Sequence, residues 1–180
     1  MSENRGKFTR DAAQAYLAHE PEMQVEKISD SIWTISDGNC RTIFMEGQTS
    51  VIAFDTFGTP GRARAYKKAV ADSIPGKAIK TIIYSHDHLD HCGFAADLSA
   101  DAEIIADEIC AKVIKLRQAE GQSQVTKVLN GSKNEMSIDG CKFTLLNPGP
   151  THGSGNISAW FAEDKILFSS DTVLANAKYG

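Results

Sequence analysis

The run His86-Asp87-His88-Leu89-Asp90-His91 places three of the chain's five histidines and the carboxylate Asp90 in one short turn. Neutral imidazoles are the commonest protein ligands for zinc-like cations, and a carboxylate adds a harder oxygen donor beside them. In an extended or turning backbone His86 and His88 project to one side, while Asp90 and His91 swing to another, so one segment can serve two adjacent cation positions. Packing alone gives no reason for this clustering. Imidazoles so close together repel on protonation and cost free energy to desolvate unless a cation is present. A metal site is therefore expected, with zinc as the cofactor, two ions per complete site, and iron or manganese also compatible with the ligand types.

Three further segments carry information in a fixed order around that turn. Val51-Ile52-Ala53-Phe54-Asp55-Thr56 is an apolar strand ending in an acid, and the metal turn itself follows the apolar run Ile79 to Tyr84. Asn147-Pro148-Gly149-Pro150-Thr151-His152-Gly153 is a stiff loop carrying a fourth histidine, and Lys165 to Thr172 is a strand ending in Asp171. Together these segments resemble the metallo-beta-lactamase superfamily. The resemblance implies that His86, His88 and His152 bind a first metal, that Asp90 and His91 bind a second, and that Asp171 bridges ions about 3.5–4 Å apart with one carboxylate oxygen on each. Asp55 would orient a ligand imidazole or fix the loop, the alternative being a plain strand-end turn carboxylate.

The implied fold is α/β (α+β), an αββα sandwich of two packed sheets flanked by helices. Residues 1–180 are read as a single domain whose second half is incomplete, with residues 1–20 an N-terminal arm or short helix. The family completes its second metal position with a histidine well downstream of the bridging acid, whereas nine residues follow Asp171 and none is histidine. His19 is a poor substitute, and the Cys92 thiolate beside His91 is a second candidate. The sequence thus reads as truncated, and either self-association or a complementing C-terminal segment is expected.

Composition excludes other classes. Hydrophobic residues make up 42% and charged residues 23%, values of an ordinary soluble globular chain. The net charge of -4 offers no field to attract a polyanion, so nucleic acid is not an expected partner. The opening residues are polar, and no stretch is apolar enough to span a bilayer, so no membrane partner and a cytoplasmic location are expected. Cys40, Cys92, Cys110 and Cys141 are scattered without a CxxC pair, as reduced thiols would be.

The elements that must position these residues alternate along the chain. A short helix is expected over 9–18, followed by strands at 32–35, 42–45 and 51–54 that form a meander and build the first sheet. Thr59-Pro60 caps a helix with Ala63, Tyr66 and Val70 inward and Arg62, Arg64, Lys67 and Lys68 outward. After the strand 79–84 come a strand at 103–106 and a helix starting at Asp107, whose Ile109, Val113 and Leu116 are expected to face the core. Residues 121–134 read as a loop, either substrate-facing or a plain connection. Hairpins are expected at 135–146 around Asp139-Gly140 and at 157–168 around Glu163-Asp164.

The chemistry expected of this arrangement is hydrolysis of a small-molecule substrate. A dimetal-bridged hydroxide would attack an ester, thioester, lactone or related bond, with Asp90 orienting it and relaying its proton. Asp171 stands where the dizinc lactamases use cysteine, which points toward glyoxalase II and lactonase patterns. Three alternatives stay open. They are a persulfide dioxygenase-like oxidoreductase with one iron on His86, His152 and Asp171, an alkylsulfatase-like sulfate-ester hydrolase suggested by Ile28 to Trp33 and the approach to His86, and an inactive metal-binding fragment needing a complement.

Overall fold

The computed structural model describes residues 9–153 and 155–172. Its elements run α1 (Arg10–Ala18), β1 (Gln24–Lys27), β2 (Ile32–Ser36), β3 (Arg41–Glu46), β4 (Val51–Phe54), α2 (Pro60–Ser73), β5 (Ile79–Ile83), α3 (Leu89–Cys92) and α4 (Ala95–Ser99). They continue with β6 (Glu103–Asp107), α5 (Glu108–Arg117), β7 (Lys127–Leu129), β8 (Lys133–Ile138), β9 (Cys141–Leu146), β10 (Ser158–Phe161) and β11 (Ile166–Ser169). Strands β1 to β7 form one sheet in sequence order, and β8 to β11 form a second, ordered β11-β10-β9-β8.

The first sheet changes character at β4. Strands β1 to β4 pair antiparallel, whereas β4 to β7 are parallel and joined by helical crossovers. Parallel strands are covered on both faces, which is why Val51–Phe54 is an unbroken apolar run buried at every position. One face of the sheet packs Phe44, Val51, Ala53 and Ile82 against Tyr66 and Val70 of α2 and Ile114 of α5. The other turns Ile43, Ile52, Phe54 and Ile83 toward Phe143, Leu145 and Phe161 of the second sheet. Each such apolar side chain contributes about 1.5–3 kcal/mol on burial. The mixed α+β layering agrees with the expected fold class.

Local signals explain most boundaries. The Thr59 hydroxyl accepts from the Arg62 amide at 3.2 Å to cap α2, with Pro60 as the first helical residue. Asp107 caps α5 by accepting from the Ile109 amide at 2.8 Å.

Several expectations need correction. Residues 121–134 are not one loop, because Lys127–Leu129 adds a seventh strand to the first sheet and Lys133 already belongs to the second. In α5 the buried side chains are Cys110 and Ile114, while Ile109 and Leu116 are 41% and 84% exposed. The i, i+4 stripe sits one residue later than expected because the short α5 meets the sheet only along that line. Arg62, expected to point outward on α2, ion-pairs with the nearly buried Asp37 at 2.7 Å and donates to the Tyr16 hydroxyl at 2.9 Å. Within the described part of residues 1–20, Arg10–Ala18 is a helix capped by Thr9 and lying against α2, where a Cβ on Gly61 would overlap the His19 carbonyl. No helix of the described residues is long and apolar enough to cross a membrane.

At one end the two sheets are clipped together by a hairpin turn. Asp139 and Gly140 have φ of 48° and 87°, the left-handed pair that a two-residue hairpin requires. The Asp139 carboxylate accepts from the amides and hydroxyls of Thr49 and Ser50 in the β3–β4 turn, at 2.7–2.9 Å. These bonds, led by the Ser50 hydroxyl, hold its carboxyl down to about 2, against an ordinary value of 3.8. A depressed folded-state value stabilises the fold above the unfolded value, and the contribution disappears as pH falls through the folded value. Asp139→Asn, which tolerates the same backbone, is therefore expected to lower Tm at pH 7, with the gap from wild type closing as pH is taken from about 4 to about 2 in thermal melts.

Candidate metal centre

Parallel strands deliver their following loops to one edge of the sheet, and the candidate centre lies there. Asp55 follows β4, the segment Ser85 to His91 follows β5, and Asp107 ends β6. The second sheet is tied to the same edge. The Ile157 amide donates to the Ser85 carbonyl at 2.8 Å, and Asn147 Nδ2 donates to Asp107 Oδ2 at 2.8 Å. The stretches preceding β10 and following β11 thereby bring His152 and Asp171 to the turn after β5.

One donor atom from each of His86, His88, His152 and Asp171 lies within 4.8 Å of the other three. His152 Nε2 is 2.9 Å from His88 Nδ1 and 3.5 Å from Asp171 Oδ2, and His86 Nε2 is 3.8 Å from that same oxygen. Donors around a tetrahedral zinc with bonds of about 2.1 Å stand about 3.4 Å apart, so these separations suit one cation. His86 is fully buried, and its Nε2 has no hydrogen-bond partner. A buried lone pair without a partner is costly, and a cation satisfies it.

A second group adjoins the first. His91 Nε2 is 3.2 Å from Asp171 Oδ2 and 3.5 Å from Asp90 Oδ2. His86, His88 and His152 thus fall in the first group and Asp90 and His91 in the second, and Asp171 faces both. It does so chiefly through a single oxygen, Oδ2, rather than through one oxygen per group. Asp171 and Asp55 both have left-handed backbones, with φ of 57° and 53°, a conformation that aspartate tolerates better than most residues.

Behind the donors lies a relay on Asp55, which is 2% exposed. Its Oδ1 accepts from the Ser85 amide at 2.7 Å, and its Oδ2 accepts from the Ser85 hydroxyl at 2.8 Å and from His91 Nδ1 at 3.0 Å. Because the Ser85 hydrogen goes to Asp55, its oxygen is left to accept from His86 Nδ1 at 2.9 Å. Both imidazoles thus carry hydrogen on Nδ1 and turn Nε2 toward the cluster. Burial, reinforced by neighbouring His91, pushes His86 down to about 4, so it is a neutral donor at physiological pH. Burial also disfavours charge on His91, but the Asp55 hydrogen bond and the Asp55, Asp171 and Asp90 charges outweigh it and lift the imidazole to about 9. A cation binding at His91 Nε2 displaces a proton held there by those acids.

The turn is shaped by close packing. His88 precedes α3, and its carbonyl accepts from the His91 and Cys92 amides at 3.0 Å. Gly58, with φ of 66°, lies so close beneath that an added Cβ would come 2.4 Å from Asp90 Cα. Arg117 at the end of α5 holds Asp87 with a 3.2 Å ion pair and a bond to its carbonyl.

Neither substitute for the downstream histidine joins the cluster. The Cys92 thiol points at the carbonyls of Asp87 and His88, 3.1 and 3.0 Å away, and accepts from Gln122 Nε2 at 2.7 Å. Burial keeps it protonated, pushed up to about 12. Its direction follows from α3, which turns adjacent side chains about 100° apart. His19 ends α1 on the outside of α2. Sequence reasoning missed Ser85, Ser170, whose hydroxyl lies 3.2 Å from His91 Nδ1, and Arg117. A polar residue between an apolar strand and the first ligand was the available signal for Ser85, whereas nothing local marked the other two.

A family model described as the metallo-beta-lactamase superfamily matches residues 35–108. The 2,4-dinitroanisole O-demethylase subunit alpha of Nocardioides sp. (strain JS1661) is 47% identical over 161 residues, covering 89% of this chain and 49% of its own length. The subunit beta of the same name and organism is 28% identical over 156 residues, covering 87% of this chain and 49% of its own. The solved metallo-beta-lactamase from Pontibacter korlensis superposes with a TM-score of 0.66 at 17% identity, over 81% of this chain and 69% of the other. The family model and these relatives support membership of the metallo-beta-lactamase superfamily. It spans about half the length of the curated relatives it matches. Members of this superfamily bind metal ions, and the His/Asp cluster described above fits that property.

Two outcomes follow. Asp55→Asn is expected to weaken cation binding about tenfold to a hundredfold with the fold retained, read by competition against a chromogenic chelator; unchanged affinity would remove the relay. Cys92→Ser is expected to leave the number of ions bound per chain as in wild type.

Proposed function

We propose that the chain forms the catalytic centre of a metal-dependent hydrolase in which His86, His88, His152 and Asp171 hold one divalent cation while Asp90 and His91 hold a second, with Asp171 between them. The observation that carries this reading is the convergence of three imidazole nitrogens and one carboxylate oxygen on a common point beside an unpartnered His86 Nε2. Ions held there supply Lewis acidity and bring the pKa of a bound water down to about 7.

The chain's own groups have separable tasks. The Asp55–Ser85 relay fixes the ring orientations of His86 and His91, so the donors need little reorganisation on binding. Asp90, whose side chain is 63% exposed beside His91, is the acid placed to orient the attacking water and take its proton. The reaction adds water across a carbon–oxygen bond of an ether or ester, one oxygen product leaving as an alcohol or a stabilised oxyanion. The relative named a 2,4-dinitroanisole O-demethylase supports an activated aryl ether or ester within the wider range of esters, thioesters and lactones.

Zinc is the expected ion. A single iron on His86, His152 and Asp171 is less well supported, because His88 Nδ1 lies 2.9 Å from His152 Nε2 and makes a fourth donor rather than an open position. Since matching relatives are named as subunit alpha and subunit beta, we also propose that the working enzyme contains a second polypeptide.

Metal analysis of freshly purified protein, alone and with any co-purifying partner, is expected to find one to two divalent ions per chain. Turnover of 2,4-dinitroanisole or a nitrophenyl ester should be abolished by chelation. His88→Ala should lose the first ion and turnover by about 10³-fold or more, the order expected when an essential catalytic group is removed. Turnover indifferent to chelation and to His88→Ala would overturn the assignment.

A further inference from the structure

A cavity of about 470 Å³ opens beside the second donor group, with His91 and Asp171 in its wall. Ile43 of β3 and Ile166 and Phe168 of β11 give the lining an apolar part. Arg41 also lines it. We infer that Arg41 selects the substrate by binding a negatively charged oxygen group carried on an apolar body, an inference that rests on the hydrolase reading of the adjacent centre.

The argument begins with strand alternation. Ile43 and Met45 of β3 face the second sheet, while Phe44 faces the helices, so Arg41 shares the inter-sheet face with Ile43. Farther along that face lie the apolar Ile43, Met45, Ile52 and Phe54, whereas at the Arg41 end the cross-strand neighbours Ser36 and Thr34 are polar, so a polar end adjoins an apolar wall. Arg41 is exposed, and its Nη1 donates to the Thr34 hydroxyl on β2 at 3.0 Å. Among the described residues no carboxylate pairs with it, although the chain carries 23 acidic residues against 19 basic ones. The remaining guanidinium donors form a planar fork suited to a sulfate or phenolate group.

The strand end that carries Arg41 is also braced. The β2–β3 turn that precedes it is held by Asp37, whose Oδ1 accepts from the Asn39 and Cys40 amides at 2.9 and 2.8 Å and whose Oδ2 pairs with Arg62. Arg62 in turn stacks on the Tyr16 ring, 5.0 Å from its centroid, so α1 and α2 steady the strand end that presents Arg41. Asp171 in the same lining would repel an anion unless a cation neutralises it. Arg41 is the cationic side chain of that lining that can take the charged group, with Ile43, Ile166 and Phe168 beside it for the apolar body.

Isothermal titration on the purified protein tests this with two matched pairs, 2,4-dinitrophenolate against neutral 1,3-dinitrobenzene, and hexyl sulfate against hexanol. Wild type is expected to bind at least one anion about tenfold or more tightly than its neutral counterpart, and the pair that shows the difference identifies the oxygen group. R41M should abolish that preference without changing the bound ion content or the affinity for the neutral compound, and R41K should retain part of it. Chelator-treated protein is titrated in parallel. A preference that disappears with the ions and is untouched by R41M belongs to the metal centre and overturns the inference, as does equal binding of anion and neutral compound. Absence of bound metal would instead count against the hydrolase reading, and the R41M comparison on the same protein would still decide the role of Arg41.

Discussion

Two imidazoles, a hydroxyl and a backbone amide are organised by the single buried carboxylate of Asp55. A buried carboxylate is tolerated only with its lone pairs filled, and here Ser85 and His91 fill them. The same bonds dictate which nitrogen of His86 and of His91 carries hydrogen, and so which one faces the cluster. Both strand ends that form this relay belong to the parallel part of the first sheet, so its stiffness is that of β4 and β5, buried on both faces.

Around that fixed hub the remaining donors arrive from farther away in the chain. His152 sits on the stretch before β10, and Asp171 ends the β11 hairpin, both carried by the second sheet. The two sheets are joined by the apolar layer between them, and at the Asp139 turn the connection is polar. Positions with unfavourable backbone geometry recur at the centre, with Asp55 and Asp171 both left-handed. Such conformations persist where surrounding contacts over-determine them.

Much of this was legible in the sequence because it depends on short-range pattern. The HDHLDH turn after an apolar run, the acid ending β4, the Thr59-Pro60 cap and the Asp139-Gly140 hairpin are each set within a few residues and were read with nearly correct bounds. Readings that depended on which neighbour an element meets fared worse. The core stripe of α5 shifted by one residue, β1 and β7 went unrecognised as strands of the first sheet, and Arg62 turned from a solvated stripe into an inter-element ion pair. In each case local periodicity was weak, and the outcome followed from packing partners distant in sequence.

The residue types alone pointed to a gathering of imidazoles and carboxylates suited to cations, because a cation offsets the cost of desolvating so many titratable groups. Only the tertiary structure decided that Asp171 faces both donor groups through one oxygen, that Ser85 links Asp55 to His86, that Cys92 turns away into the loop, and that Arg41 stands in the wall of the adjoining cavity. Those outcomes depend on the relative placement of two sheets and on the direction of individual side chains, which no local spacing in the chain encodes.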